Sequence, residues 1–391
     1  MDWKKALGFT ERLKTIQSLT AAYQQGSSSN AFTEAQNQAR KLESEAYEQA
    51  GSKEEYDLLC QKAVDAAETI VSTSLETEVD DDTTGNVPDE ASASGEAIGH
   101  YRDCTPHFDG LHSTIYKSNS KEGTLVALKI AIPHLLEPPH DAHREAQLLR
   151  AAASKHVIPL LETFKLDGGR FVMAFSYKKY DFEALLRRGS LSTSQTRSIL
   201  RDMFSALSFI HERGIIHRDI KPANILLDSP AGPAYLADFG IAWREKSIEA
   251  EPADKKITDV GTTCYRPPEV LFGYKGYGPA LDLWAAGCVV AEAIAVDHKQ
   301  LFDAGPVGSD LSLIQSILTT LGTPDEEGWP ETAHLPDWGK IEFYKYPAKS
   351  WDEILQGSSS NGRDLVSKLV RYESGQRISA AEALQHPYLS S

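Results

Sequence analysis

The chain has 391 residues, of which 41% are hydrophobic and 25% charged, and its formal net charge is -16. That length accommodates two or three folding units, and the composition is that of an ordinary globular protein. The acidic balance argues against direct binding to nucleic acid or to an anionic membrane, because both need a basic face.

The N-terminus, MDWKKALGFTERLK, carries charge throughout and has no apolar core segment, so no secretory signal is expected. Three helical patterns follow. Phe9, Leu13, Ile16, Leu19 and Tyr23 recur at three- and four-residue spacing before the run breaks at GSSSN. Thr33 with Gln36 offers a capping box for a second helix that sets Ala35, Ala39, Leu42 and Ala46 on one face. A cleaner box, Ser52 with Glu55, opens a third, whose stripe is Tyr56, Leu59, Cys60, Ala63, Ala67 and Ile70. Short amphipathic helices joined by short loops predict a small all-α three-helix bundle over residues 1–71. Within it, ARKLESEAYEQAGSKEEYDLLCQKAVDAAE resembles the KIX domain of the fungal Mediator tail subunit. The resemblance implies a groove for amphipathic helices of transcriptional activators. The pattern alone fits a generic helical bundle or a dimerisation segment equally well.

Residues 72–98 contain eight acidic residues and no Lys or Arg. Such a segment cannot bury enough apolar surface to offset its ordering entropy, and it is expected to be a disordered, self-repelling linker. The four cysteines, Cys60, Cys104, Cys264 and Cys288, are scattered without metal-ligand spacing, which predicts reduced thiols. The longest apolar stretch, Leu283 to Val296, has 14 residues and includes Glu292. It is too short to cross a bilayer and predicts a buried core helix. An intracellular protein is expected, nuclear or cytoplasmic, with no membrane partner.

From residue 99 onward the motifs are dense. VALK places Lys129 at the end of an apolar strand, and PHDAHRE places Glu145 on a helix after the Pro138–Pro139 breaker. IIHRDIKPANILL is followed by LADFG, then GTTCYRPPE, LDLWAAG and LTTLGTPDEEGWPE. A chain that moves a phosphoryl group needs charge neutralisation, metal positioning and an aligned hydroxyl, and these residue types supply each. Together the motifs resemble the cyclin-dependent kinase family, and the last of them separates that group and its relatives from other kinases.

The resemblance implies an α+β two-lobed protein kinase fold over residues 99–391, with a small lobe over 99–177 and a large lobe over 178–391. It implies a Ser/Thr protein kinase that uses ATP and two Mg2+ ions and acts on protein substrates. Asp219 would accept the substrate hydroxyl proton, Lys221 would neutralise charge on the transferred group, and Thr262 would bond both. Asn224 and Asp238 would be the metal ligands. Lys129, paired with Glu145, would hold the α- and β-phosphates. Gly110 belongs to the loop over the phosphates, Ile115 and Ala127 would enclose the adenine, and Phe175 would stand beside a hinge at Ser176–Lys178. Glu269 is expected to pair with Arg377, and Asp282 and Trp284 to lie in the buried central helix.

Four departures from the family pattern matter. In HFDGLHSTIYK only the middle glycine, Gly110, is kept, with Phe108 and Ser113 at the outer positions. His143 replaces the apolar residue of the cyclin-contact helix, which fits a kinase working without a conventional cyclin. Ile257 stands where the family has its phosphorylated Thr, with Thr258 next. Of the three clamping arginines, Arg144 and Arg218 remain, Trp243 takes the third place, and Arg244 is an adjacent substitute. These features predict little dependence on activation-segment phosphorylation. Gly261 replaces the Val of the proline-selecting arrangement while Arg266 remains, which predicts weakened proline direction. Fungal monomeric kinases that activate cyclin-dependent kinases are similar in all these respects. The alternative is a catalytically weak kinase-fold adaptor whose N-terminal module binds transcriptional activators.

Overall fold

A computed structural model describes residues 15, 19, 39, 42, 43, 46, 47, 50–53, 55–64, 95–109, 113–132, 138–305 and 308–390. The chain divides into two compact units, Met1–Ala93 and Ser94–Ser391.

In the first unit residues 55–64 are helical. The Glu55 amide donates to Ser52 Oγ at 3.2 Å, which is half of the expected box. The Glu55 carboxylate accepts from the Gly51 amide at 2.8 Å, one residue earlier than a full box requires. Ala46, Ala50, Tyr56 and Cys60 form a buried cluster with Tyr47 and Leu59 packed against it. The Tyr56 hydroxyl donates to Glu43 at 2.9 Å, so its one polar atom is satisfied inside that cluster. Phe9, Leu13, Ile16, Tyr23, Thr33, Ala35, Gln36, Ala67 and Ile70 lie outside the described residues.

The second unit opens with a six-stranded antiparallel sheet in the order β1-β2-β3-β4-β6-β5. Its strands are β1 (Glu96–Ile98), β2 (Tyr101–Asp109), β3 (Ser113–Asn119), β4 (Leu125–Ala131), β5 (Leu160–Lys165) and β6 (Phe171–Ser176). β1 falls in the last residues of the acidic stretch; it pairs Glu96 with Cys104 and Ile98 with Tyr101. Strand periodicity decides which side chains meet the cleft. Val126, Leu128 and Ile130 of β4 join Val172 and Ala174 of β6 in one apolar cluster. The alternate residues, Ala127 and Lys129, face the other way, as do Met173 and Phe175, which belong to the main core.

Helix α1 (Ala142–Ala151) follows the Pro138–Pro139 breaker. Its N-cap, Asp141, accepts from the His143 and Arg144 amides, and Ala146, Leu148 and Leu149 are buried. The large lobe contains α2 (Phe182–Arg187), α3 (Thr193–His211), α4 (Pro268–Leu271), α5 (Ala280–Ile294), α6 (Asp310–Leu321), α7 (Trp351–Ile354), α8 (Ser360–Leu369), α9 (Ala380–Gln385) and α10 (Pro387–Ser390). Its short strands are β7 (Tyr180–Asp181), β8 (Ile215–Ile216), β9 (Ile225–Leu227), β10 (Ala234–Leu236) and β11 (Trp243–Arg244). Cys104, Cys264 and Cys288 are free thiols. Among the described residues no helix is long and apolar enough to cross a membrane.

The apolar stretch from Leu283 forms most of α5, which is buried on every side. It stops short of Val296, which is 77% exposed. Glu292 sits within α5, buried, and accepts from the Tyr265 hydroxyl at 2.7 Å. Burial pushes its carboxyl up to about 7 from 4.5. An acid whose pKa is raised by folding binds more protons when folded, so stability falls as pH rises from about 4.5 through about 7. At about 1.4 kcal/mol per pKa unit the loss is roughly 3 kcal/mol. The amide of Glu292→Gln still accepts from Tyr265. This variant is expected to flatten the slope and to exceed wild type in stability at pH 8, read by denaturant unfolding at pH 5 and pH 8. An unchanged slope would assign the pH dependence to other groups.

Candidate active site

Two clusters face each other across the cleft. In the small lobe Lys129 Nζ donates to both Glu145 carboxylate oxygens, at 2.7 and 3.0 Å, and to Asp238 Oδ1 at 2.9 Å. Burial pulls the pKa of Lys129 down, but the Asp238 and Glu145 carboxylates outweigh it and hold the pKa above the usual lysine value. The ammonium in turn holds the Asp238 carboxyl well below the usual range. Burial raises Glu145, against the pull of Lys129. A strand, a helix and the start of the activation segment are thereby tied at one cation. Asp238 has a φ of 63°, in the left-handed region, which strains a non-glycine residue and fixes its direction.

The second cluster is built on the loop from β8 to β9. Asp219 Oδ1 accepts from the Thr262 amide at 3.0 Å and from the Thr262 hydroxyl at 2.8 Å. Its Oδ2 accepts from Lys221 Nζ at 2.9 Å and from Asn224 Nδ2 at 3.0 Å. Lys221 Nζ also donates to Thr262 Oγ1 at 2.8 Å. Every donor that reaches Asp219 comes from a residue flagged by its motif, so Asp219, Lys221, Asn224 and Thr262 form one network.

The support beneath this loop was not legible in the motifs. Asp282, fully buried on α5, accepts from the His217 amide at 2.8 Å, the Arg218 amide at 2.9 Å and His211 Nε2 at 2.8 Å. Burial raises its pKa, but the His211 contact and the charges and amides around it outweigh that and keep the carboxyl low. Asp282 therefore holds the backbone that carries Asp219, beyond its expected part in the helix core. His217 Nε2 lies 2.9 Å from the Ala237 carbonyl and joins this loop to the strand end that carries Asp238.

The residues expected around the adenine take their places by strand register. Ile115 pairs with Lys129 across β3 and β4, and Ala127 pairs with Phe175 across β4 and β6. The hinge begins where the Tyr177 amide donates to the Leu125 carbonyl at 3.2 Å. Gly110 lies outside the described residues; Phe108, on the strand leading to it, is 54% exposed.

The donor chemistry fits magnesium. Asn224 spends its Nδ2 on Asp219, which leaves its carbonyl oxygen for a hard cation, and Asp238 is an ionised carboxylate with half its side chain exposed. Among the described residues no group of three or more His, Cys, Asp or Glu forms a metal cage. Mg2+ suits such a site, being held by one or two side chains together with substrate phosphates and water.

His143 is exposed, with its ring 4.3 Å from that of Phe171, so it sits on the surface of α1 and buries no charge. Ile257 packs against an apolar cluster of Val260, Val270, Tyr277 and Leu281. Arg144 and Arg218 converge as expected, whereas Arg244 is exposed and does not join them. Gly261 is in the left-handed region of the backbone map. It has a φ of 79°, and Arg266 Nε donates to its carbonyl at 3.1 Å. Loss of the Val side chain removes strain from this conformation rather than the conformation itself.

The protein kinase domain profile matches residues 109–389. The chain is 36% identical over 288 residues to the Serine/threonine-protein kinase csk1 of Schizosaccharomyces pombe, covering 71% of this chain and 92% of that protein. It is 36% identical over 287 residues to Cyclin-dependent kinase 20 of Danio rerio, covering 72% of this chain and 80% of the relative. The human Cyclin-dependent kinase 20 is 33% identical over 285 residues, with the same two shares. With the two clusters above set across one cleft, the chain belongs to the protein kinase family, as a Ser/Thr kinase of the cyclin-dependent type that uses ATP and Mg2+.

Proposed function

We propose that the chain phosphorylates an unphosphorylated cyclin-dependent kinase and does so without a cyclin. The observation that carries the catalytic part is the closed network of Thr262, Lys221 and Asn224 around Asp219. Asp219 accepts the hydroxyl proton of the acceptor residue, Lys221 screens the moving charge, and Thr262 fixes Asp219 by two bonds. Lys129, held by Glu145, positions the α- and β-phosphates. Asn224 and Asp238 would hold the magnesium, two ions on this reading, which would supply charge neutralisation at the phosphates. Ile115, Ala127 and Phe175 enclose the adenine, with Gly110 over the phosphates. Likeness to csk1 and to Cyclin-dependent kinase 20 supports a substrate within the cell-cycle kinases, and the exposed His143 supports cyclin independence. We assign residues 1–71 to a KIX-like module that takes an activator helix, residues 72–98 to a linker and residues 99–391 to the kinase domain, working in the nucleus or cytoplasm. The buried Ala46–Tyr56–Cys60 cluster supports a folded helical unit in the first of these.

The test is phosphate transfer by the full chain from Mg-ATP to an unphosphorylated cyclin-dependent kinase, without cyclin and beside an Asp219→Asn control. Transfer that vanishes in the control supports the reading. Intact metal-dependent ATP binding without transfer to any protein would favour a kinase-fold adaptor.

Selection at the acceptor's next residue follows from Gly261. Its carbonyl is turned toward Arg266, and we infer that it is not presented to a substrate backbone N–H. Proline, which has no N–H, loses nothing there, whereas other residues leave a donor unpaired. Proline selection is therefore expected to persist, in place of the weakened direction read from the missing Val. Arg266→Ala frees the carbonyl and should cut that selectivity by roughly tenfold, the worth of one hydrogen bond. A peptide array on both proteins measures this. Wild type indifferent to proline would overturn it.

A further inference from the structure

The activation segment carries its own anion at the point where Arg144 and Arg218 converge. Glu251 lies in the stretch IEAEPADKK, which no motif spacing marks. Arg218 donates to it in a fork, Nη1 to Oε1 at 2.9 Å and Nη2 to Oε2 at 3.2 Å. Arg144 Nη1 stands 4.0 Å from Oε2 and donates to the Glu249 carbonyl at 3.0 Å. The Arg218 side chain is fully buried, that of Arg144 4% exposed and that of Glu251 13% exposed. Trp243, at the position of a third clamping arginine, spends its indole N–H on the Glu251 backbone carbonyl at 2.9 Å. Lys256 closes the cluster, 4.5 Å over the Trp243 ring and 5.2 Å over that of Tyr277. Two arginines flanked by a lysine would repel one another if no anion lay between them, and a forked Arg–carboxylate pair is the strong form of the contact.

We propose that the Glu251 carboxylate is a built-in positioning anion that holds the activation segment in its working form without covalent phosphate. This rests on the kinase reading above and deepens it. The geometry couples three elements. Arg144 adjoins Glu145 on α1, Arg218 adjoins Asp219 on the catalytic loop, and Glu251 belongs to the segment that leads to Thr262. One carboxylate thus links the residue that orients Lys129 to the residue that receives the substrate proton. The place of a phosphorylated Thr is filled by Ile257, whose side chain packs in an apolar cluster and whose carbonyl accepts from the Tyr277 hydroxyl at 2.5 Å. Glu251 is a positioning residue, since nothing places it against substrate.

The test uses full-length protein treated with phosphatase and shown by intact mass to carry no phosphate. Wild type is expected to keep its activity after treatment. Glu251→Gln keeps the shape and removes the charge, and should lower kcat on the order of 10²-fold while KM for ATP changes little, because misplaced catalytic groups cost about that much. Glu251→Asp should recover part of the rate. Glu251→Ala should regain activity on addition of inorganic phosphate or sulfate, which a merely structural defect would not. Active wild type with an equally active Glu251→Gln overturns the inference alone. Wild type that phosphatase silences also overturns it and leaves the kinase reading intact. Wild type with no transfer under any treatment overturns both.

Discussion

Asp219→Asn is expected to lower kcat by about 10²–10⁴-fold, the usual contribution of a positioned general base, with the melting temperature and Mg-ATP affinity near wild type. The argument rests on which atoms donate to Asp219. Four donors converge on its two oxygens: the Thr262 amide and hydroxyl on Oδ1, and Lys221 and Asn224 on Oδ2. An amide can accept on one side only. Its NH2 must then face either the Thr262 pair or the Lys221–Asn224 pair, donor against donor, so the side chain turns or the network opens. No oxygen of the amide is basic enough to take a proton from the substrate hydroxyl. Asp219 makes no hydrogen bond to the Lys129–Glu145–Asp238 cluster, the proposed nucleotide contact. Steady-state kinetics with a separate nucleotide-binding measurement divides the two effects. A variant that retains kcat within tenfold would remove Asp219 from the chemistry.

The parts of this site that were legible in the sequence are those whose partners lie within a few residues or whose register follows from strand period. Asp219, Lys221 and Asn224 are brought together by one short loop and the 3-10 turn Pro222–Asn224, so HRDIKPAN nearly determines their geometry. Ala127 and Lys129 share the cleft face because alternate strand residues must. Asp282 and Glu251 were different. Each acts across a separation of more than thirty residues in sequence, and what makes it functional is the backbone amide or guanidinium it meets after folding. No periodicity carries that information. Glu251 in particular looks like one more charge in an acidic, lysine-bearing loop.

Gly261 is a different case, in which the missing Val was legible and the backbone conformation was not. The missing Val suggested a lost conformation, but a left-handed φ is easier for glycine than for any β-branched residue. The strand Glu96–Ile98 was hidden for a further reason. It contributes backbone pairing and the single buried side chain of Ile98, too little apolar surface to show against an acidic background.

Arg377→Ala is expected to destabilise the large lobe by about 3–5 kcal/mol, the range for removing one partner of a buried ion pair. Arg377 donates to Glu269 in a fork, at 2.6 and 2.7 Å, with both side chains out of solvent. It also donates to the carbonyls of Arg371 at 2.9 Å, Ala280 at 3.0 Å and Tyr372 at 3.1 Å. All five guanidinium N–H groups are thus occupied, and the group lies 5.0 Å from the Trp284 ring centroid. Truncation strands a buried carboxylate and removes one donor from each of three carbonyls. Exposed pairs such as Asp297–Lys299 have no comparable leverage, because water already serves both partners. Apolar replacement of both partners should recover only part of the loss, since the three carbonyl contacts stay lost while the stranded charge is gone. Denaturant unfolding of wild type, Arg377→Ala and the double variant Glu269→Met with Arg377→Met separates the charge from the carbonyls. A double variant no more stable than Arg377→Ala would put the cost in the backbone contacts, and Arg377 would then be a clamp between the Arg371–Tyr372 segment and the start of α5 first and a counter-ion second.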